Sequence, residues 1–146
     1  MKQKFVDLYM DWARRCSQLS HARRLQVGAV VVKDDTVISY GYNGMPAGWD
    51  NNCEFEYVDP QTKVSELVTR KEVLHAESNA IAKLAKGNNS GVGADLFVTH
   101  SPCIECAKLI FQSGIRNVYY GLQYRDDTGL RFLEKSGVEV EQVKGP

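Results

Sequence analysis

The sequence predicts an α/β fold: a mixed sheet of five strands, opened by an antiparallel hairpin and covered by helices on both faces. Three observations lead there. The valine-rich run 27–32, the turn Asp34-Asp35 and the strand-like run 36–42 make a hairpin near the start. From residue 75 onward, helix-like and strand-like segments alternate, which calls for βαβ crossovers and parallel pairing. A chain of 146 residues is enough for one cored domain spanning 1–146.

The elements follow in order. Phe5, Tyr9, Trp12, Cys16 and Leu19 recur at spacings of three or four, which predicts an amphipathic helix over 5–19 with these side chains on the core face. Cys16 then reads as a small buried hydrophobe. After the hairpin, Asn43-Gly44-Met45-Pro46-Ala47-Gly48 is loop chemistry. A long polar segment containing Pro60 continues to about Arg70 and predicts an extended loop, of a length that is often functional. Helices are predicted over 75–86, 103–113 and 126–136, and strands over 95–100, 115–120 and 138–143.

Composition narrows the function classes. Eighteen basic residues balance eighteen acidic ones, and zero net charge argues against broad nucleic-acid binding. No run of 18 apolar residues exists, so no membrane span is expected. Met1-Lys2-Gln3-Lys4-Phe5 lacks the apolar core of a signal peptide. Four cysteines, two in one short motif, suggest a reducing compartment, with the cytoplasm as the default.

The chemistry is concentrated in His75-Ala76-Glu77 and Pro102-Cys103-Ile104-Glu105-Cys106. Together they match H-x-E…P-C-x-x-C, the signature of zinc deaminases. His75, Cys103 and Cys106 would fill three positions of a tetrahedral zinc and leave the fourth for water. Glu77 is then free to move a proton between that water and a leaving amine. His75 begins one predicted helix. Pro102 suits the first turn of another, on which Cys103 and Cys106 share a face. Both ligand groups lie at helix starts, where the dipole favours thiolate. A structural zinc would instead need a fourth protein ligand, for which Cys16, Cys53, His21 and His100 are the candidates.

The stretches 26–32, 41–48, 75–81, 101–108 and 114–115 resemble the cytidine deaminase-like superfamily, and within it the deoxycytidylate deaminase branch. The resemblance covers nearly the whole chain and implies that superfamily's three-layer fold. It implies zinc held by His75, Cys103 and Cys106, with Glu77 as the proton shuttle. Asn43 would bond the sugar hydroxyl, and the backbone at Ala76 and Ser101 would lie beside the base. The implied reaction converts dCMP to dUMP for thymidylate synthesis. The implied assembly is a homohexamer, activated by dCTP and inhibited by dTTP, with Tyr42, Asn43 and Gly44 near the regulatory nucleotide. A second zinc occurs in part of the family, but Cys53 and His21 make an incomplete set here.

Read from the residues alone, Asn43 beside Gly44 fits a plain turn as well as a substrate contact. Arg23 and Arg24 fit either a solvated charge pair or a cradle for a monophosphate, with Arg24 the candidate donor. Tyr124 follows a strand end and is either a phosphate donor or an ordinary aromatic cap. His100 stands where an apolar residue is expected, as a pocket-lining group, a substrate partner or a cover for the sheet end. Two rival functions stand beside dCMP deamination. One is a deaminase acting on free cytidine, tRNA adenosine or single-stranded nucleic acid, the last of which should show basic and aromatic surface. The other is a non-catalytic zinc module in which Glu77 is dispensable.

Overall fold

The computed structural model describes residues 1–145. The chain begins with α1 (Gln3–Ser17), followed by the hairpin of β1 (Gly28–Lys33) and β2 (Thr36–Tyr42). Asp34 and Asp35 turn it with φ of +51° and +58°. Two consecutive left-handed residues give the hairpin turn whose twist matches its strands, and aspartate tolerates that backbone better than most residues. A second hairpin, β3 (Glu54–Val58) and β4 (Ser65–Thr69), comes next. Then α2 (Ala76–Ala85), β5 (Asp95–His100), α3 (Ile104–Gln112), β6 (Asn117–Leu122), α4 (Thr128–Lys135) and β7 (Glu139–Gln142) alternate.

The main sheet has the order β2-β1-β5-β6-β7. β1 pairs antiparallel with both β2 and β5, whereas β5–β6 and β6–β7 are parallel. This is the mixed five-stranded sheet expected from the sequence. Alternate residues of its strands feed two cores. Ala29, Val31, Leu96, Val98, Val118 and Tyr120 face α2, α3 and α4. Val30, Val32, Phe97 and Tyr119 face α1. Burial on both faces explains why β1 and β5 read as nearly continuous apolar runs. On the α1 side, Phe97 stacks on Tyr119 at 4.6 Å between ring centroids and meets Tyr9 at 5.4 Å.

Two expectations are corrected. The core stripe of α1 is Val6, Tyr9, Met10, Ala13 and Cys16, while Trp12 and Leu19 are 47% and 46% exposed. The helix turns its small residue to the sheet, because a Cβ on Gly28 of β1 would strike the Ala13 carbonyl. Close approach, not side-chain bulk, selects the face. The second correction is the expected loop before Arg70, which contains the β3–β4 hairpin. Its strands pair Glu54 with Thr69 through Val58 with Ser65. Phe55 and Tyr57 stay exposed, so the segment lacks the one-sided burial that marks a strand in sequence. No helix among the described residues is long and apolar enough to cross a membrane.

The helix that matters most for the site, α2, is seated on β2. Ser39 Oγ donates to the Ala80 carbonyl at 2.7 Å, and Asn79 Nδ2 donates to the Tyr42 carbonyl at 2.8 Å. Gly41 lies under the first turn of α2, where a Cβ would meet the Ala76 carbonyl and the Ala80 amide. Backbone on both sides leaves nothing to yield. Gly41→Ala is therefore expected to destabilise the protein by about 1–3 kcal/mol through overpacking. Urea denaturation checks this, and an unchanged midpoint at unchanged slope would mean that α2 does not press on β2.

Candidate functional site

His75 and Cys103 occupy equivalent places on two helices. Each is an N-cap residue in extended conformation, and neither side chain caps its helix. Cys106 lies in the first turn of α3, so the free N-termini of α2 and α3 bring three ligand atoms together. The His75, Cys103 and Cys106 donors all lie within 4.8 Å of one another. A zinc bound ~2.3 Å from sulfur and ~2.0 Å from nitrogen at tetrahedral angles requires S···N separations of about 3.6 Å. Nδ1 of His75 is 3.6 Å from Sγ of Cys103 and 3.3 Å from Sγ of Cys106. The donor set fits zinc. Gly129 of α4 backs this arrangement, since a Cβ there would strike the Pro102 carbonyl.

The electrostatics suit a cationic metal. Hydrogen bonds with Cys106 and His75 bring the Cys103 thiol down to about 4, while Cys106 is raised because it shares its proton with Cys103. His75 is raised by the bond to Cys103, against the effect of burial. Glu77, in the first turn of α2 and 5% exposed, is pushed up to about 7 by burial. It lies beside the ligand trio and outside it.

A cavity of about 600 Å³ opens in front of these residues. It is lined by His75, Ala76 and Glu77, by Asn43, His100, Ser101 and Cys103, and by Arg24, Thr69, Tyr124 and Arg125. Its size is that of a small-ligand site. Ser101 and Ala76 are buried in its wall. Ser101 Oγ accepts the Tyr124 amide at 2.9 Å and so fixes the segment after β6. Burial, followed by the Glu77 and cysteine charges, pushes the Tyr124 phenol up to about 12, so it is a hydrogen-bond donor at neutral pH.

His100 lies against Tyr124, ring centroids 5.6 Å apart. Its Nδ1 is 2.8 Å from Thr99 Oγ1, which accepts the Gly28 amide at 3.1 Å. Burial lowers the pKa of this imidazole, which favours its neutral form.

Asn43 is part of the wall and also part of the fold. Its Oδ1 accepts the Val27 amide at 2.9 Å, and its Nδ2 donates to the Leu25 carbonyl at 2.8 Å. The next residue, Gly44, exchanges two backbone hydrogen bonds with Leu74, immediately before His75. The 42–44 loop and the metal ligand are thus tied together. Cys53 is buried with its thiol directed to the Asn51 carbonyl at 3.5 Å, and His21 is exposed.

The arginine pair is split. Arg23 bonds Glu54 and Asn52 through its guanidinium, whereas Arg24 faces the cavity and touches Thr69 Oγ1 at 3.1 Å. The sequence reading missed Glu54, Thr69 and Arg125. Arg125, next to Tyr124, was open to the same argument as Arg24. Glu54 and Thr69 carry no signal in sequence, because their segment has the polar composition of a loop.

The family described as the cytidine and deoxycytidylate deaminase zinc-binding region matches residues 2–122. ComE operon protein 2 of Bacillus subtilis (strain 168) is 40% identical over 126 residues, covering 83% of this chain and 61% of that protein. Deoxycytidylate deaminase of Enterobacteria phage T4 is 34% identical over 161 residues, covering 87% and 83% of the two chains. Among solved structures, dCMP deaminase from the cyanophage S-TIM5 in complex with dCMP and dUMP superimposes with a TM-score of 0.87. It is 42% identical and matches over 98% of this chain and 99% of that one. By sequence, fold and ligand set, the chain belongs to the cytidine and deoxycytidylate deaminase zinc-binding family.

Proposed function

We propose that this chain is a zinc-dependent dCMP deaminase that converts dCMP and water to dUMP and ammonia in the cytoplasm. One observation carries the reading. A single cavity presents a zinc-fitting trio, a buried carboxyl and the Arg24 guanidinium, whose one hydrogen bond among the described residues goes to Thr69. All four cysteines are free thiols, which supports a reducing compartment.

His75 Nδ1 and the two cysteine sulfurs would hold the metal. A zinc ion there supplies Lewis acidity, which lets water attack an amidine carbon near neutral pH. Glu77 takes the proton from the attacking water and delivers it to ring N3, then transfers the second proton to the departing amine. Water oxygen bonds C4, the C4–N4 bond breaks, and ammonia leaves. A carboxyl held near neutrality exchanges protons in both directions. The backbone at Ala76 and Ser101 lies beside the base, and Asn43 retains one amide proton and one Oδ1 lone pair for the sugar hydroxyl. Arg24 and the Tyr124 phenol donate to the phosphate.

Glu77→Gln keeps the shape but cannot accept a proton. It is expected to lower kcat by about 10²–10⁴-fold while retaining one zinc per chain, and Cys103→Ser is expected to lose the metal. Absorbance assays with metal analysis check both, and substantial turnover in Glu77→Gln would remove its assigned role. Arg24→Ala should raise KM for dCMP roughly 10- to 100-fold and leave KM for deoxycytidine unchanged. Equal effects on the two substrates would mean that Arg24 does not read the phosphate.

The regulatory reading belongs to the same proposal: a homohexamer activated by dCTP and inhibited by dTTP. It is supported by the ladder between Gly44 and Leu74, which ties the 42–44 loop to His75. A nucleotide held by this loop and the segment 51–57 biases the metal site if it binds two states unequally. Leu8 and Trp12 of α1, with Leu19 just beyond its end, give an exposed apolar edge suited to assembly. Sigmoidal dCMP dependence, made hyperbolic by dCTP and opposed by dTTP, is the expected result. A hyperbolic curve indifferent to both, from an intact oligomer, would eliminate this regulation and leave the catalytic assignment.

A further inference from the structure

Arg23 and Arg24 are neighbours of identical chemistry, and one buried carboxylate separates their roles. Glu54 is 1% exposed. Its Oε2 accepts the backbone amides of both Arg23 and Arg24, each at 2.9 Å, and its Oε1 accepts Arg23 Nε at 3.4 Å. Burying a carboxylate is unfavourable unless it is paired and hydrogen-bonded. All three of these contacts go to residues 23 and 24.

Thr69 completes the arrangement. It is the register partner of Glu54, at the base of the β3–β4 hairpin. Its hydroxyl accepts a hydrogen bond from Arg24 Nη1 at 3.1 Å, the one hydrogen bond of that guanidinium among the described residues. A single rung of the hairpin therefore grips Arg24 twice. The carboxylate fixes its backbone and the hydroxyl fixes its guanidinium, with the remaining donors left to the cavity. A two-stranded hairpin is marginal by itself. This one is anchored at its base, where the Arg70 amide donates to the Cys53 carbonyl at 2.8 Å and Arg70 Nε to the Asn52 carbonyl at 3.1 Å.

We propose that Glu54 and Thr69 are positioning residues for the anionic end of the substrate, so that the hairpin base sets the preference for a nucleoside monophosphate over the nucleoside. The proposal rests on the reading that Arg24 binds the phosphate. Its physical basis is preorganisation: an arginine already held in place loses less freedom when the anion arrives.

The test is a double-mutant cycle on the full chain with zinc bound, using dCMP and deoxycytidine. Thr69 is exposed, so Thr69→Val removes the hydroxyl without disturbing the core. It is expected to raise KM for dCMP about threefold to tenfold, with kcat and KM for deoxycytidine changed less than about twofold. Thr69→Ser should restore the wild-type value. In an Arg24→Ala background, Thr69→Val should have no further effect, because the group it positions is gone. Glu54→Gln should act in the same direction. If that variant does not fold, the Thr69 cycle stands alone. An equal rise for both substrates, an unchanged KM for dCMP, or an effect that persists in the Arg24→Ala background would overturn the inference. Failure of the underlying reading is distinct: Arg24→Ala itself would then fail to discriminate between the two substrates.

Discussion

The site depends on two helix N-termini held face to face without their usual caps. At an N-cap, serine, threonine, aspartate or asparagine stabilises a helix by about 1 kcal/mol over alanine. This chain places His75 and Cys103 there, and neither serves its own helix. Both positive helix ends instead point at one small volume in which the two cysteine sulfurs gather. Much of the fold holds those ends together. β5 leads directly into Ser101-Pro102-Cys103, β2 locks α2 through Ser39, Gly41 and the Tyr42 carbonyl, and α4 closes behind Pro102 through Gly129. Helix capping is given up at two positions, and metal binding couples their convergence to folding.

The main sheet was legible because its strands carry unmistakable patterns. The runs Ala29–Val32 and Leu96–Val98 are apolar because both faces of those strands are covered. The metal trio was legible because ligand chemistry needs fixed residue types at helix starts. The β3–β4 hairpin was not legible, since its faces do not divide into buried and exposed halves. The face of α1 was misread towards Trp12 and Leu19 because bulk outweighed Ala13 in the pattern. In three dimensions the small residue wins, for only it lets the helix reach Gly28.

Glu54 shows why local sequence could not have disclosed the second half of the site. Glu54 and Glu56 lie on the same strand, two residues apart and on the same side. One is buried under two arginine amides, and the other is exposed and bonded to the Ser65 hydroxyl. Identity and alternation are the same for both. What differs is the position of residues thirty places earlier in the chain, a tertiary fact. The same carboxylate makes Arg23 a structural residue and frees Arg24, a distinction that adjacent identical residues cannot carry by themselves.

Zero net charge conceals a local gathering of acidic and basic groups. Glu77 and Cys103 of the metal trio line the same cavity as Arg24 and Arg125. Tyr124 senses both: after burial, Glu77 and the two cysteines raise its phenol, and Arg24 opposes them. Both poles are thus within reach of one side chain, and so of one small molecule. A ligand that satisfies both carries an amino-substituted ring carbon at one end and an anion at the other. A nucleoside lacks the second feature. A polynucleotide would need a continuing basic track, and an even count of charges over the whole chain argues against broad binding of that kind. Among smaller ligands, the Arg24 guanidinium, held by Thr69 at the cavity, is the feature on which the proposed preference for a monophosphate rests.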